Sequence, residues 1–176
     1  MAEHPFSNPR VDGYVSGSGF VKNTTYRAIY IKVPASGIDV RRAFFSWPIS
    51  SIPSGASITK VEFNFDVYND SSPRISDFRS LENDPQVSSG VEIWDDIDLG
   101  NSYLTRTISR GPNQKVDLGS QAVTDLTNAV NANQIWWGFG IKFTNEAIDG
   151  TEHRDILWSE ESRRRANPVP TLIVHW

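Results

Sequence analysis

The sequence predicts an all-β protein: an antiparallel two-sheet jelly-roll sandwich with one short helix. Three observations lead there. Short segments of period-two alternation recur along the chain, each bounded by Gly, Pro, Asn or Asp. The stretch SQAVTDLTNAVNAN, residues 120–133, is the only one with helical spacing, so helices do not alternate with strands and a parallel α/β sheet is disfavoured. The third is ITKVEFNFDVY, residues 58–68, which sends Val61, Phe63, Phe65 and Val67 to one side and Lys60, Glu62, Asn64 and Asp66 to the other. So clean a two-faced strand belongs to an antiparallel sheet with one packed side.

The elements follow in order. Residues 1–13 hold Pro5, Pro9 and Gly13 with little periodicity and read as an arm or linker, with strand entry at Tyr14, so residues 14–176 form a single domain. YRAIYIKV, residues 26–33, alternates Tyr26, Ala28, Tyr30 and Lys32 against Arg27, Ile29, Ile31 and Val33, and residues 34–37 turn the chain. In RRAFFSW, Ala43, Phe45 and Trp47 share a face with Arg41, while Phe44 lies between Arg42 and Ser46 on the other, so both faces are expected to be covered. Pro48 and Pro53 lack amide donors, and Ser50, Ser51, Ser54 and Gly55 supply turn chemistry before the long strand begins.

Shorter strands are expected at residues 75–79, 91–94, 103–108 and 115–118. In the helix, Val123, Leu126 and Val130 recur at helical spacing and Ser120 is placed to cap the first turn. IWWGFGIKFTN then reads as a strand with Gly138 and Gly140 on one face and large residues on the other. Residues 154–158 and 171–176 close the chain as strands around the polar loop SEESRRRANPVP.

Composition excludes several function classes. The chain has 176 residues, 38% of them hydrophobic, enough for one core. No run approaches the roughly 18 apolar residues of a membrane span, so no membrane insertion is expected. The start, MAEHPFSNPR, has neither a positive n-region nor an apolar h-region. With no cysteine there are no thiolate metal sites, disulfides or cysteine nucleophiles. A net charge of −4 and a pI near 5.3 argue against general affinity for nucleic acid.

The segment RRAFFSWPISSIPSGASITKVEFNFDVY resembles the signature of DNRLRE-type, or disaggregatase-related, domains: a short strand, a turn of the form S-S-I-P-S-G-A, then a long alternating strand. VDLGSQAVTDLTNAV, WWGFGIKF and NPVPTLIVHW resemble that family's later blocks in the same order, so the likeness spans most of residues 14–176. The resemblance implies a β-sandwich, usually extracellular or at the cell surface, non-catalytic, and in some members binding an acidic polysaccharide such as alginate. Where many relatives carry an acid before the turn, this chain has Trp47-Pro48-Ile49-Ser50. Any ion role at that position in the family does not transfer.

Candidate site residues fall into several groups. The histidines, His4, His153 and His175, lie apart in sequence and no serine sits in a G-x-S-x-G context, so nucleophilic catalysis is not expected. Carboxylates such as Glu160 and Glu161 are numerous, but as glycosidase pairs they would need a cleft between them. WDDIDLGN offers Asp95, Asp96, Asp98 and Asn101 as hard oxygen ligands for a structural calcium ion, set against ordinary turn chemistry. It is no EF-hand, since the third ligand position and the terminal Glu are missing. A second, weaker acidic loop is NEAIDGTEHRD, with Glu146, Asp149, Glu152 and Asp155.

Aromatic platforms for sugar rings are sought among Trp94, Trp158, Tyr103 and one of Trp136 and Trp137, with Trp137 taken as the candidate; Trp47 and the other of the pair belong to the core. Arg163, Arg164 and Arg165 form the one dense basic run, able to clamp an acidic glycan with Arg41, Arg42 or Lys60, or to pair with Glu160 and Glu161. The polar face of Lys60, Glu62 and Asn64 is either a concave binding surface or plain solvent-facing strand.

Two functions lead at this point, with a polysaccharide hydrolase or lyase ranked third. One is a non-catalytic carbohydrate-binding or adhesion module whose partner is a polysaccharide. The other is a structural subunit of an extracellular filament, surface layer or virion fibre, in which residues 1–13 or TLIVHW add to a neighbouring copy's sheet edge.

Overall fold

The computed structural model describes residues 2–7, 9–23, 28–72, 74–158 and 170–176. Twelve strands and two helices occur among them: β1 (Glu3–Phe6), β2 (Val11–Ser16), β3 (Val21–Asn23), β4 (Ala28–Val33), β5 (Arg41–Pro48), β6 (Lys60–Ser71), β7 (Ile75–Ser80), α1 (Gly90–Leu99), β8 (Ser102–Thr107), β9 (Gly111–Asp117), α2 (Gly119–Asn131), β10 (Trp136–Phe143), β11 (His153–Trp158) and β12 (Thr171–His175). Every strand pairing is antiparallel. The strands run β1-β12-β6-β11-β4-β5-β10-β7-β8, with β2 beside β5, β3 beside β2, and β9 beside β6. The all-β expectation holds at this level: the protein is a curled antiparallel sheet with two short helices.

The long strand β6 organises the curl. β9 pairs along one of its edges, from Glu62 to Val67, while β12 takes the first half of the opposite edge and β11 the second. Val61, Phe63, Phe65 and Val67 are buried, as the alternation requires. Rings from β5, β6, β7 and β10 meet in the interior: Phe45 lies 5.1 Å from Phe63, Phe63 lies 5.0 Å from Phe139, and Trp47 and Phe78 pack on the same group. Tilted and edge-on pairs of this kind add to what burial alone contributes.

β5 is covered on both sides, as its sequence suggests. Ala43, Phe45 and Trp47 belong to the main core, while Phe44 joins a second cluster with Val11, Val15, Leu81, Ile93 and Ile97 beneath α1. The glycine face of β10 explains how α1 comes so close. A Cβ at Gly140 would collide with the Ile97 side chain, so the missing side chain is the seat into which the helix packs.

Three sequence expectations are corrected. Residues 91–94, expected as a strand, lie in α1. The β-rich run VEIW is overridden by a capping box in which the Ser89 hydroxyl accepts from Glu92 N–H and the Glu92 carboxylate accepts from Ser89 N–H, with Ile93 and Ile97 one turn apart and buried. Ser120 does not cap α2; Asp117 accepts the Gly119 N–H at 2.8 Å instead, and Ser120 lies inside the helix. Residues 1–13, expected as an arm, supply β1 and the start of β2, so this segment is tied into the sheet.

The α1 capping box gives a first test. Ser89→Ala is expected to cost about 1 kcal/mol, or about 2–4 °C in melting temperature for a domain of this size. An unchanged melting curve would mean that packing on β10 alone holds the helix.

Candidate functional site

The residues singled out from the sequence do not converge. Asp95, Asp96 and Asp98 stand on α1, not on a loop, and Asp96 and Asp98 turn to different partners. Asp96 accepts the backbone N–H groups of Glu82 at 3.1 Å and Asn83 at 2.6 Å. Asp98 pairs with Lys142 and Arg42, and these two, Lys142 foremost, hold its carboxyl below the usual range. Asp95 is exposed, and Asn101 bonds through its backbone to Ser80. The loop geometry that suggested calcium is therefore absent, because the segment is helical and two of its carboxylates serve other partners.

Trp94 is no open platform. The Arg42 guanidinium lies over its ring at 3.6 Å from the centroid, and the same guanidinium binds both Glu146 oxygens, at 3.0 and 2.6 Å, and the Trp94 carbonyl at 2.8 Å. Arg41, on the other face of β5, pairs with Asp39 and lies over Tyr14 and Tyr30. In the second acidic loop, Asp149 is held at about 2, chiefly by the Thr151 N–H and further by His153 and Arg74, against the opposing effect of desolvation, while Glu152 pairs with Lys32 and Arg154. Arg163, Arg164 and Arg165 lie outside the described residues, and Trp158 closes β11.

The polar face of β6 is not an open row of free side chains. Glu62 is only 5% exposed, and its two oxygens are taken by Lys60 at 2.7 Å, Lys115 at 3.1 Å and His175 at 2.7 Å. Desolvation would raise this carboxyl, but the three donors together outweigh it and bring it down to about 2. Glu3, Glu62 and His175 bring ligand atoms within 4.8 Å of one another. The two ammonium groups already on Glu62 balance its charge and oppose a metal ion there. Asn64 lies farther along the same face, opposite Thr171 and Lys115.

A cavity of about 350 Å³ opens elsewhere, between α2, β8, β10 and the end of β7. Trp137, taken from the sequence as the open member of its pair, is instead the core member at 5% exposure, while Trp136 is the half-buried one; Trp137 lies under the cavity with Tyr103 stacked on it at 5.8 Å and 18°. The Tyr103 hydroxyl donates to Asp125 at 3.0 Å, and Gln121 donates to the other Asp125 oxygen at 2.8 Å. Burial, then Asp125, pushes the Tyr103 phenol well above its ordinary range, so it stays a neutral donor. Glu82, Asn101, Asn128 and Gln134 supply polar groups around the opening. Sequence reading names Tyr103, Trp137 and Asn101 but misses Asp125, Asn128 and Gln134. The signal available was the polar i, i+4 and i, i+3 spacing of Gln121, Asp125 and Asn128 along α2.

No family model and no curated protein matches this chain. No helix among the described residues is long and apolar enough to cross a membrane.

Proposed function

We propose that this chain is a non-catalytic carbohydrate-binding module, built as a DNRLRE-type jelly-roll sandwich and working outside the cell or at its surface. The cavity over Trp137 carries the reading. Sugar-binding sites combine an aromatic wall, against which C–H groups pack, with a few side chains that bond hydroxyls in pairs. Tyr103 offers the wall, backed by the buried Trp137; Asn128, Gln134 and Glu82 offer the polar groups. The meeting of Phe45, Phe63 and Phe139 across the interior supports two layers.

The lining also favours a class of sugar. Its charged members are Glu82 and Asp125, with no Lys or Arg among the described lining residues, so a neutral glycan fits better than a uronic acid polymer. Against the rival role as a strand-donating subunit, β1 pairs with β12 of its own chain and β12 with β6, so both candidate donor segments already have partners.

The test is a glycan array of neutral and uronic acid polymers. Binding to a neutral glycan that falls about tenfold in each of Asn128→Ala and Gln134→Ala is expected, one lost hydrogen bond apiece. Binding only to uronic acid polymers, lost when Arg163–Arg165 become Ala, would move the site to the basic run. Silence on the array together with concentration-dependent polymers would favour the structural subunit.

A further inference from the structure

Asp155 sits in the middle of β11 with no exposed surface, and neither of its carboxylate oxygens has a hydrogen-bond partner. Its face of the strand points inward, since Leu157, two residues on, belongs to the main core. Opposite it on β4 stands Ile31, fully buried and unable to donate anything from its side chain. Opposite it on β6 stands Asp70, another carboxylate. Like charges directly opposed across a strand pair destabilise a sheet, and a buried charge without a counter-charge is costlier still.

A third oxygen faces the same place. The Ser76 hydroxyl, from β7, is completely buried and also lacks a hydrogen-bond partner, although it comes close to the Asp155 carboxylate. Asp70 accepts one backbone N–H, from Arg110 at 3.1 Å. Among the described residues no Lys, Arg or His side chain forms an ion pair with either aspartate. Two carboxylates and a hydroxyl thus converge on a buried place where the protein supplies no positive charge.

We infer that Asp155, Asp70 and Ser76 hold a divalent cation of the calcium class, separate from the sugar cavity and from the acidic stretch of α1. The donor set is all oxygen, as a hard cation prefers, and two carboxylates neutralise a charge of two. The ion supplies what Asp155 lacks, and it ties β6, β7 and β11 together at one point. Binding to the folded chain alone makes it a stabiliser by mass action.

The experiment uses the full chain, stripped with EDTA and exchanged into mildly alkaline buffer, then melted with and without millimolar calcium chloride and titrated with calcium by calorimetry. Wild type is expected to bind one ion and to melt about 5 °C or more higher with calcium. Asp155→Asn is expected to melt at or above the wild-type temperature in EDTA, because the buried charge is gone, and to show no calcium shift. Asp70→Asn, at the half-buried member of the pair, should also lose the shift and serves if the first variant does not fold. Equal wild-type melting in calcium and EDTA overturns the inference, as does an undiminished shift in both variants.

Discussion

Replacing Arg42 with methionine is expected to cost the fold about 3 kcal/mol, as removing one member of a buried ion pair does. The guanidinium is 4% exposed and serves several partners at once: two hydrogen bonds go to Glu146, one to the Trp94 carbonyl and one to Asp98, while its face lies on the Trp94 ring. Methionine keeps most of the apolar stem but leaves Glu146, itself only 19% exposed, without its counter-charge. Asp98 contributes little to the loss, because it is 47% exposed, screened by water, and keeps Lys142. Urea denaturation of Arg42→Met, Glu146→Gln and the double variant separates the causes. If the double variant is no less stable than Arg42→Met alone, the stranded carboxylate is the cost. A loss below about 1 kcal/mol in Arg42→Met would mean that Glu146 swings into solvent and the network is ornamental to stability.

This hub also shows what can be read from the sequence. The two covered faces of β5 are legible in RRAFFSW, because apolar residues stand at both odd and even positions. The core side of β6 and the helix α2 are legible for the same reason, a clear period. α1 is not, since Val91, Ile93 and Trp94 favour a strand and the deciding signals, Ser89 with Glu92 and Ile93 with Ile97, are short-range and few. The long-range ionic contacts are not legible at all. Arg42 and Glu146 are 104 residues apart and Glu62 and His175 are 113 apart, distances that only strand order brings together.

The cavity beside Tyr103 and Trp137 falls between these cases. Its aromatic floor is legible because Tyr103 and Trp137 are the kinds of side chain that form one. Its polar rim depends on where α2 comes to rest against β8 and β10, which propensity does not determine. Asp155 reads in the sequence as the last acid of an acidic stretch and as part of the strand at 154–158; its burial follows from β11 being inserted between β4 and β6.

The outer face of β6 leads to the second large effect, an acid-stability difference between wild type and Glu62→Gln. The Glu62 carboxyl is held at about 2, below its usual 4.5, because hydrogen bonds from Lys60, His175 and Lys115 outweigh the desolvation that would raise it. A carboxyl whose folded value is depressed binds fewer protons in the folded state than in the unfolded one, so its stabilisation is complete above pH 4.5 and is lost as pH falls towards 2. A depression of this size corresponds to about 3 kcal/mol. Wild type should therefore lose about that much more stability than Glu62→Gln as pH falls through this window, measured by urea denaturation at successive pH values. Asp149, also depressed to about 2, is present in both proteins and cancels from the comparison. Added salt should shrink the difference, since Lys60 is 41% exposed and Lys115 42%. Parallel curves for the two proteins would mean that the unfolded chain holds Glu62 in a similar field, and the polar face of the long strand would then have to be explained by something that binds it.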